Sequence, residues 1–228
     1  MTGRAVCLLS GGLDSSTAAA IAISRGFEAY GMTFRYGQRH EKEIESALAV
    51  GKSLGLKDHV IVEFDLRKWG GSALTSDIPL PTDRAAEEMR SSIPTTYVPA
   101  RNTIFLSFAL SYAETIGADT IFIGVSQIDY SGYPDCREEY LRAFERMANL
   151  ATKAGVEGSI AFTIEAPLLH MSKAEIIKTG LELGVDYSLT WSCYEGGALP
   201  CGRCDSCRLR LEGFRKLGLR DPIKYAGR

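Results

Sequence analysis

Two stretches of this 228-residue chain carry residue types at spacings that chemistry can use. The first is SGGLDSST, Ser10 to Thr17, directly after the apolar run Ala5–Leu9. A strand, a glycine turn and a helix start form an anion site. The glycines let backbone N–H groups approach an oxyanion, and the helix N-terminus adds a favourable dipole. The plainer reading is a tight turn in which Asp14 and Ser15 cap the helix. The stretch is not a Walker loop, which needs G-x-x-x-x-G-K-[ST], and it lacks the G-x-G-x-x-G of a dinucleotide fingerprint. A Walker lysine serves transfer of the terminal phosphoryl group. A lysine-free loop of hydroxyls, N–H groups and one carboxylate suits instead the part of a nucleotide that leaves as pyrophosphate, with Asp14 placed to hold Mg²⁺.

The second stretch holds Cys193, Cys201, Cys204 and Cys207, separated by seven, two and two residues. Without a secretory signal, such crowding points to a metal rather than to disulfides. Four protein ligands leave no open position, so one structural Zn²⁺ per chain is expected. An iron–sulfur cluster is the rival for a Cys₄ set, and unliganded thiols are the bland alternative. Of the other cysteines, Cys7 reads as a buried filler in a strand. Cys136 reads as packing or as the lining of a pocket.

Elements must position these groups. Strands are expected at Arg4–Leu9, Phe27–Phe34, Val60–Phe64, Thr120–Val125 and Ile160–Ile164, and helices at Asp14–Ser24, Arg39–Leu54, Asn102–Ile116, Arg137–Ala154 and Lys173–Leu183. Asn102 reads as an N-cap. Tyr140, Leu141, Phe144, Met147, Ala148 and Ala151 should share one helical face. The stretch from Gly70 to Ala100 carries four prolines and reads as a long functional loop. Alternation of this kind means an α/β fold: an open, parallel, twisted sheet flanked by helices, Rossmann-like in architecture. Ligands then bind at the carboxyl ends of the strands. Residues 1–190 are expected to form this ATP-binding domain, and 191–228 a small cysteine segment with a short basic helix.

Composition excludes some functions. The net charge is −2 and the pI about 6.0, which argues against a nucleic-acid partner. The apolar run near the N-terminus is too short for a signal peptide. Thr103–Ile116 is broken by Ser107, Ser111 and Glu114 and falls short of the roughly 20 residues of a membrane span. A cytoplasmic protein without a membrane partner is expected.

The SGGLDS loop resembles the S-G-G-x-D-S pyrophosphate loop of the ATP pyrophosphatases, which share the adenine nucleotide alpha hydrolase-like fold. YGQRHEKE (36–43), VPARNTIFLSFALSYAE (98–114), DYSGYPDCREEY (129–140) and WSCYEGGALPCGRCDSCRLR (191–210) narrow the match. They resemble the 7-cyano-7-deazaguanine synthase family of the queuosine pathway, over essentially the whole chain. The resemblance implies a carbon–nitrogen ligase that adenylates a ring carboxylate, admits ammonia, and activates the resulting amide to reach a nitrile. It also implies a homodimer. ATP would lie on Leu8, Leu9, Ser10, Gly11, Gly12, Leu13, Asp14, Ser15, Ser16, Thr17 and Ala18. Asp14 and Ser15 would act in catalysis, with Arg101 at the α-phosphate and Lys173 on the phosphates. An ion pair is the plain alternative for Arg101, and helix-start solvation for Lys173. The deazaguanine ring N–H and amino group form a donor pair suited to one carboxylate. Asp135 is favoured over Asp129, with Tyr130 and Tyr133 stacking on the ring. Arg39 and His40 follow strand two at the active end of the sheet. Only His40, His59 and His170 exist, and no residues remain for a glutaminase domain, so free ammonia is the simplest nitrogen source, with coupling to a separate amidase as the alternative.

Two rivals stand beside this reading. A tRNA-modifying adenylyltransferase would want a second reactive cysteine pair or an RNA-binding domain. A zinc-ribbon regulator contacting DNA phosphates would use Arg203, Arg208, Arg210, Arg215 and Lys216.

Overall fold

The computed structural model describes residues 3–38, 41–84, 93–127 and 133–227. Arg39, His40, Asp129 and Tyr130, singled out above, lie outside the described residues.

Five parallel strands form one sheet: β1 (Arg4–Leu8), β2 (Glu28–Arg35), β3 (Asp58–Glu63), β4 (Thr120–Phe122) and β5 (Thr163–Glu165), in the order β3-β2-β1-β4-β5. The order reverses between β1 and β4. The loops leaving their carboxyl ends diverge there and open a crevice. Helices α1 (Leu13–Ser24), α2 (Lys42–Leu54), α3 (Arg101–Ile116), α4 (Glu138–Ala151), α5 (Lys173–Glu182) and α6 (Asp205–Lys216) complete the framework.

Strand β1 shows why both faces are covered. Val6 and Leu8 enter one core, with Leu106, Ala109 and Leu110 of α3 and Leu141 and Phe144 of α4. Ala5, Cys7 and Leu9 enter the other, with α1, α2, α5 and Phe214 of α6. Alternate side chains of a strand point to opposite faces, and here both are apolar. The alanines of α1 (Ala18, Ala19, Ala20 and Ala22) are all buried. Small side chains let this helix lie close under β1.

Several boundaries differ from the sequence reading. Strand β4 ends at Phe122, and Ile123–Ser126 run on as loop along the crevice. Strand β5 starts at Thr163 rather than Ile160, because the backbone N–H groups of Ser159 and Ile160 turn back to Ala154 O. The expected helix to Ala154 breaks at Thr152, which is extended and caps a further turn at Lys153–Val156 with its side chain. The anticipated face is buried at Leu141, Phe144 and Ala148, but Met147 is exposed.

Asn102 is not an N-cap. Helix α3 begins at Arg101, and Ala100 caps it in a left-handed conformation (φ 52°). Asn102 lies inside the first turn and donates through Nδ2 to Asp135 O (3.2 Å) and Cys136 Sγ (3.4 Å).

Candidate active site and metal centre

A cavity of about 230 Å³ opens at the crevice between β1 and β4. Its floor is the glycine loop. Gly11 has φ +76°, and a Cβ there would lie 2.4 Å from Glu43 O and 2.5 Å from Ala47 N. Conformation and contact both demand glycine at this position. Gly124, after β4, presses on the loop from the other side. A Cβ on it would fall 2.7 Å from Ser15 N and Cα.

Gly12 caps α1 without any side-chain hydrogen bond, so Asp14 and Ser15 do not cap it. Ser15 Oγ instead accepts from Ser10 N (3.1 Å) and lies 3.0 Å from Ser10 Oγ, which ties the two ends of the loop together. The first-turn N–H groups remain available to a ligand.

The expected nucleotide residues divide. Leu8, Leu9, Ser10, Gly12, Leu13, Asp14 and Ser15 line the cavity. Ser16, Thr17 and Ala18 stand behind them. Ser16 Oγ donates to Gly12 O (2.8 Å), Thr17 Oγ1 lies 2.7 Å from Tyr187 Oη, and Ala18 is core.

Lys173 and Arg101 both reach the cavity. Lys173 Nζ sits 2.7 and 2.8 Å from the two carboxylate oxygens of Asp14, with its stem buried. Helix-start duty falls to its neighbour, where Ser172 and Glu175 form a reciprocal capping box. Arg101 is not in an ion pair with any described carboxylate. Its Nη1 lies 3.4 Å from Tyr36 Oη, and its guanidinium stands 6.0 Å from the Phe105 ring centroid.

The proposed ring-reading residues are placed unevenly. Tyr133 lines the cavity and its hydroxyl lies 2.8 Å from Thr96 Oγ1. Asp135 is not among the lining residues. Its Oδ2 accepts the backbone N–H of Asn102 at 3.1 Å, which fastens the start of α3. Cys136 lines the cavity and is pushed up to about 12 by burial.

Among the lining residues that sequence reasoning missed, Trp191, Tyr194 and Glu43 carry polar or aromatic groups into the cavity. Trp191 and Tyr194 come from the cysteine segment, and Trp191 N donates to Gly11 O (2.9 Å). Glu43, in the first turn of α2, is pushed up to about 7 by desolvation, partly opposed by Arg101 and helped by Cys193. The motif YGQRHEKE contained Glu43, but nothing in its spacing distinguished that residue from a solvated helix carboxylate.

The four sulfurs of Cys193, Cys201, Cys204 and Cys207 lie within 4.8 Å of one another. Backbone N–H groups of Glu195 and Cys201 donate to Cys193 Sγ (3.4 and 3.3 Å), and those of Arg203 and Cys204 to Cys201 Sγ (3.4 and 3.3 Å). Such donors favour thiolates, and the donor set fits a tetrahedral metal. The surrounding arginines are engaged. Arg210, 1 % exposed, pairs with Asp221 (2.7 and 2.9 Å) and donates to Thr190 Oγ1 and Tyr187 O. Arg203 pairs with Asp83, Arg215 with Glu212, and Arg208 donates to Arg84 O.

Residues 4–218 match the family described as queuosine biosynthesis protein QueC. The chain belongs to this family. A 7-cyano-7-deazaguanine synthase from Geotalea uraniireducens (strain Rf4) is 63% identical over 227 residues, covering 99% of this chain and 98% of the relative. Its counterpart from Pelobacter propionicus is 60% identical and covers both chains completely. Among solved structures, a predicted subunit of a tRNA methyltransferase from Methanocaldococcus jannaschii shares the fold. It has a TM-score of 0.50 at 16% identity and covers 79% of this chain and 75% of that one. Among the described residues, no helix is long and apolar enough to cross a membrane.

Proposed function

We propose that this chain is a carbon–nitrogen ligase that makes 7-cyano-7-deazaguanine from 7-carboxy-7-deazaguanine, ammonia and ATP. One observation carries the reading. In a chain of this family, the lysine-free SGGLDS loop shares one cavity with Arg101 and Lys173. A carboxylate is a poor electrophile, and ammonia will not displace its oxygen. Adenylation turns that oxygen into a leaving group, and a second activation removes the amide oxygen on the way to the nitrile. Each activation releases pyrophosphate and then AMP.

Roles follow from position. The first-turn N–H groups and the hydroxyls of Ser10 and Ser15 receive phosphate oxygens. Leu8 and Leu9 flank the adenine. Arg101 offers planar donors to charge developing at the α-phosphate. Asp14 would hold Mg²⁺, which offsets phosphate charge, and Lys173 would then be released from Asp14 to the phosphates. Zn²⁺ in the cysteine cluster would be structural, since four sulfurs leave no open position. Tyr133 faces the ring substrate, whereas Asp135, already engaged by Asn102, is less suited to read it. The family resemblance also supports a homodimer in the cytoplasm. Pairing of the arginines around the cysteines weighs against a DNA-binding role.

The test is ATP turnover with 7-carboxy-7-deazaguanine and ammonium, following nucleotide and base by mass spectrometry. Nitrile and AMP are expected, and both should vanish in Asp14→Ala. Folded, metal-loaded protein without substrate-dependent turnover would sink the assignment.

A further inference from the structure

The nitrogen donor of this reaction exists at neutral pH mainly as ammonium, which has no lone pair. Something in the cavity must accept its proton. Asp14 is held by Lys173. The hydroxyls of Tyr36 and Tyr133 are raised by burial and remain protonated. The Cys136 thiol stays protonated for the same reason. Neither described histidine lines the cavity. His59 bonds Thr33, and His170 pairs with Glu138 outside it.

Glu43 remains. Its backbone is packed on the glycine loop at Gly11, and the residue lines the same cavity as Ser10, Asp14 and Arg101. No described residue hydrogen-bonds its carboxyl or forms an ion pair with it, although it lines the cavity. We infer that Glu43 binds ammonium and is the catalytic base of the amination, an assignment that rests on the adenylating function proposed above.

An N–H bond of ammonium breaks and the proton passes to the Glu43 carboxylate. The freed lone pair forms the C–N bond at the acyl carbon, and the C–O bond to AMP breaks, AMP leaving with that electron pair. The nitrogen sheds a second proton to water, and Glu43 returns the first to solvent. The amide oxygen then attacks the α-phosphate of a second ATP and pyrophosphate leaves, while one of the two remaining N–H protons passes to solvent as the imidate forms. The last N–H proton then goes to the same carboxylate, its electron pair completes C≡N, and the C–O bond breaks with AMP taking that pair. No oxidant or reductant takes part.

The electrostatic surroundings agree. Desolvation places the carboxyl near 7, close to the operating pH that favours general bases. The groups that act on it are Arg101 from α3, Tyr36 from beyond β2 and Cys193 from the cysteine segment, and Asp14 and Lys173 line the same cavity. The opposing signs of Arg101 and Cys193 leave burial as the dominant cause.

The experiment is Glu43→Gln in the metal-loaded full chain, with Glu43→Asp as a second variant. The first readout is exchange of labelled pyrophosphate into ATP, dependent on 7-carboxy-7-deazaguanine and without ammonium. The second is nitrile formation as a function of ammonium and pH. Glu43→Gln should keep the exchange within about threefold. It should lose nitrile formation at pH 7 by about 10²–10⁴-fold and recover as the pH rises and free ammonia accumulates. Glu43→Asp should fall between. Loss of exchange together with nitrile, at unchanged ammonium dependence, would assign Glu43 to holding the ring substrate and overturn the proposal. So would unimpaired nitrile formation at pH 7. Absence of exchange in the unsubstituted protein would instead overturn the adenylating reading, and this proposal with it.

Discussion

The glycine loop and the cysteine segment meet in one cavity but are held in opposite ways. The loop is fixed by sterics. Gly11 and Gly124 have no room for a side chain, and β1 sits in the middle of the sheet. Residues 191–203, by contrast, contain no regular element. That segment is shaped by sulfur clustering, by N–H donors to sulfur, and by one buried arginine. The long Gly70–Ala100 stretch leans on it too, through the Thr82–Cys204 bridge and the Arg84–Asp205 pair. The sheet half should therefore survive insults that dissolve the cysteine half.

The harshest way to break the comparison is to remove the metal. Structural Zn²⁺ sites contribute on the order of 10–16 kcal/mol of binding near neutral pH. Chelation, or Cys204→Ser, should expose residues 191–228 to protease and shift Trp191 fluorescence. Because Trp191 and Tyr194 line the cavity, nucleotide binding should weaken as well. An apo protein with an unchanged cleavage pattern would place the stability of the segment elsewhere.

Next comes Arg210. Its pair with Asp221 is almost fully buried, and Tyr225 Oη adds a bond to the same carboxylate at 2.7 Å. Arg210→Met strands Asp221 and should cost about 3–5 kcal/mol, read by denaturant melts. The loss should be larger in the cysteine segment than in the sheet when followed residue by residue with hydrogen exchange.

These two regions were also unequally legible. The four cysteines announced their own clustering through spacing alone, and SGGLDSST announced the loop. Alternating strands and helices gave the parallel sheet. Two things could not be read. One was spatial: Trp191 N bonding Gly11 O, or Gly124 abutting Ser15, joins residues far apart in the chain. The other was occupancy. Asp135 offered the right chemistry, and nothing in its local sequence showed that Asn102 N–H takes one of its oxygens, Oδ2. Glu43 looked like ordinary helix surface until packing on the loop desolvated it. A side chain's type is local, but its free valences and its dielectric are properties of the fold.

The Glu43 carboxyl gives a sharper, smaller test. Its ordinary value is 4.5 and its folded value about 7. Between those values the folded state binds more protons than the unfolded chain, so folding stability falls as pH rises. Below 4.5 the penalty is absent, and above 7 it is complete. Glu43→Gln should then be more stable than the parent at pH 8 by about 1–3 kcal/mol, with the gap closing toward pH 5. Urea melts across that range would measure it, and a pH-independent difference would remove burial as the cause.

Gly124→Ala probes the sterics of the loop. A methyl 2.7 Å from Ser15 N and Cα forces backbone to shift, which typically costs about 1–3 kcal/mol. The loss should appear mainly as a raised KM for ATP, with the metal content unchanged. Equal losses of ATP affinity and metal would mean that loop and cysteine segment move as one body.

The smallest expected effect is at Cys136. It lines the cavity, which invites a nucleophilic role, but a nucleophile needs its thiolate. Burial holds this thiol at about 12, and its sulfur accepts a bond from Asn102 Nδ2. It is packing that steadies the start of α3. Cys136→Ala should lower stability by about 1 kcal/mol and keep turnover within about threefold, and iodoacetamide at neutral pH should leave the parent thiol unmodified in the folded protein. Alkylation of Cys136 with matching loss of turnover would mean that the cavity opens to solvent and lowers that pKa, and the rigid half of the molecule would then be the cysteine segment rather than the sheet.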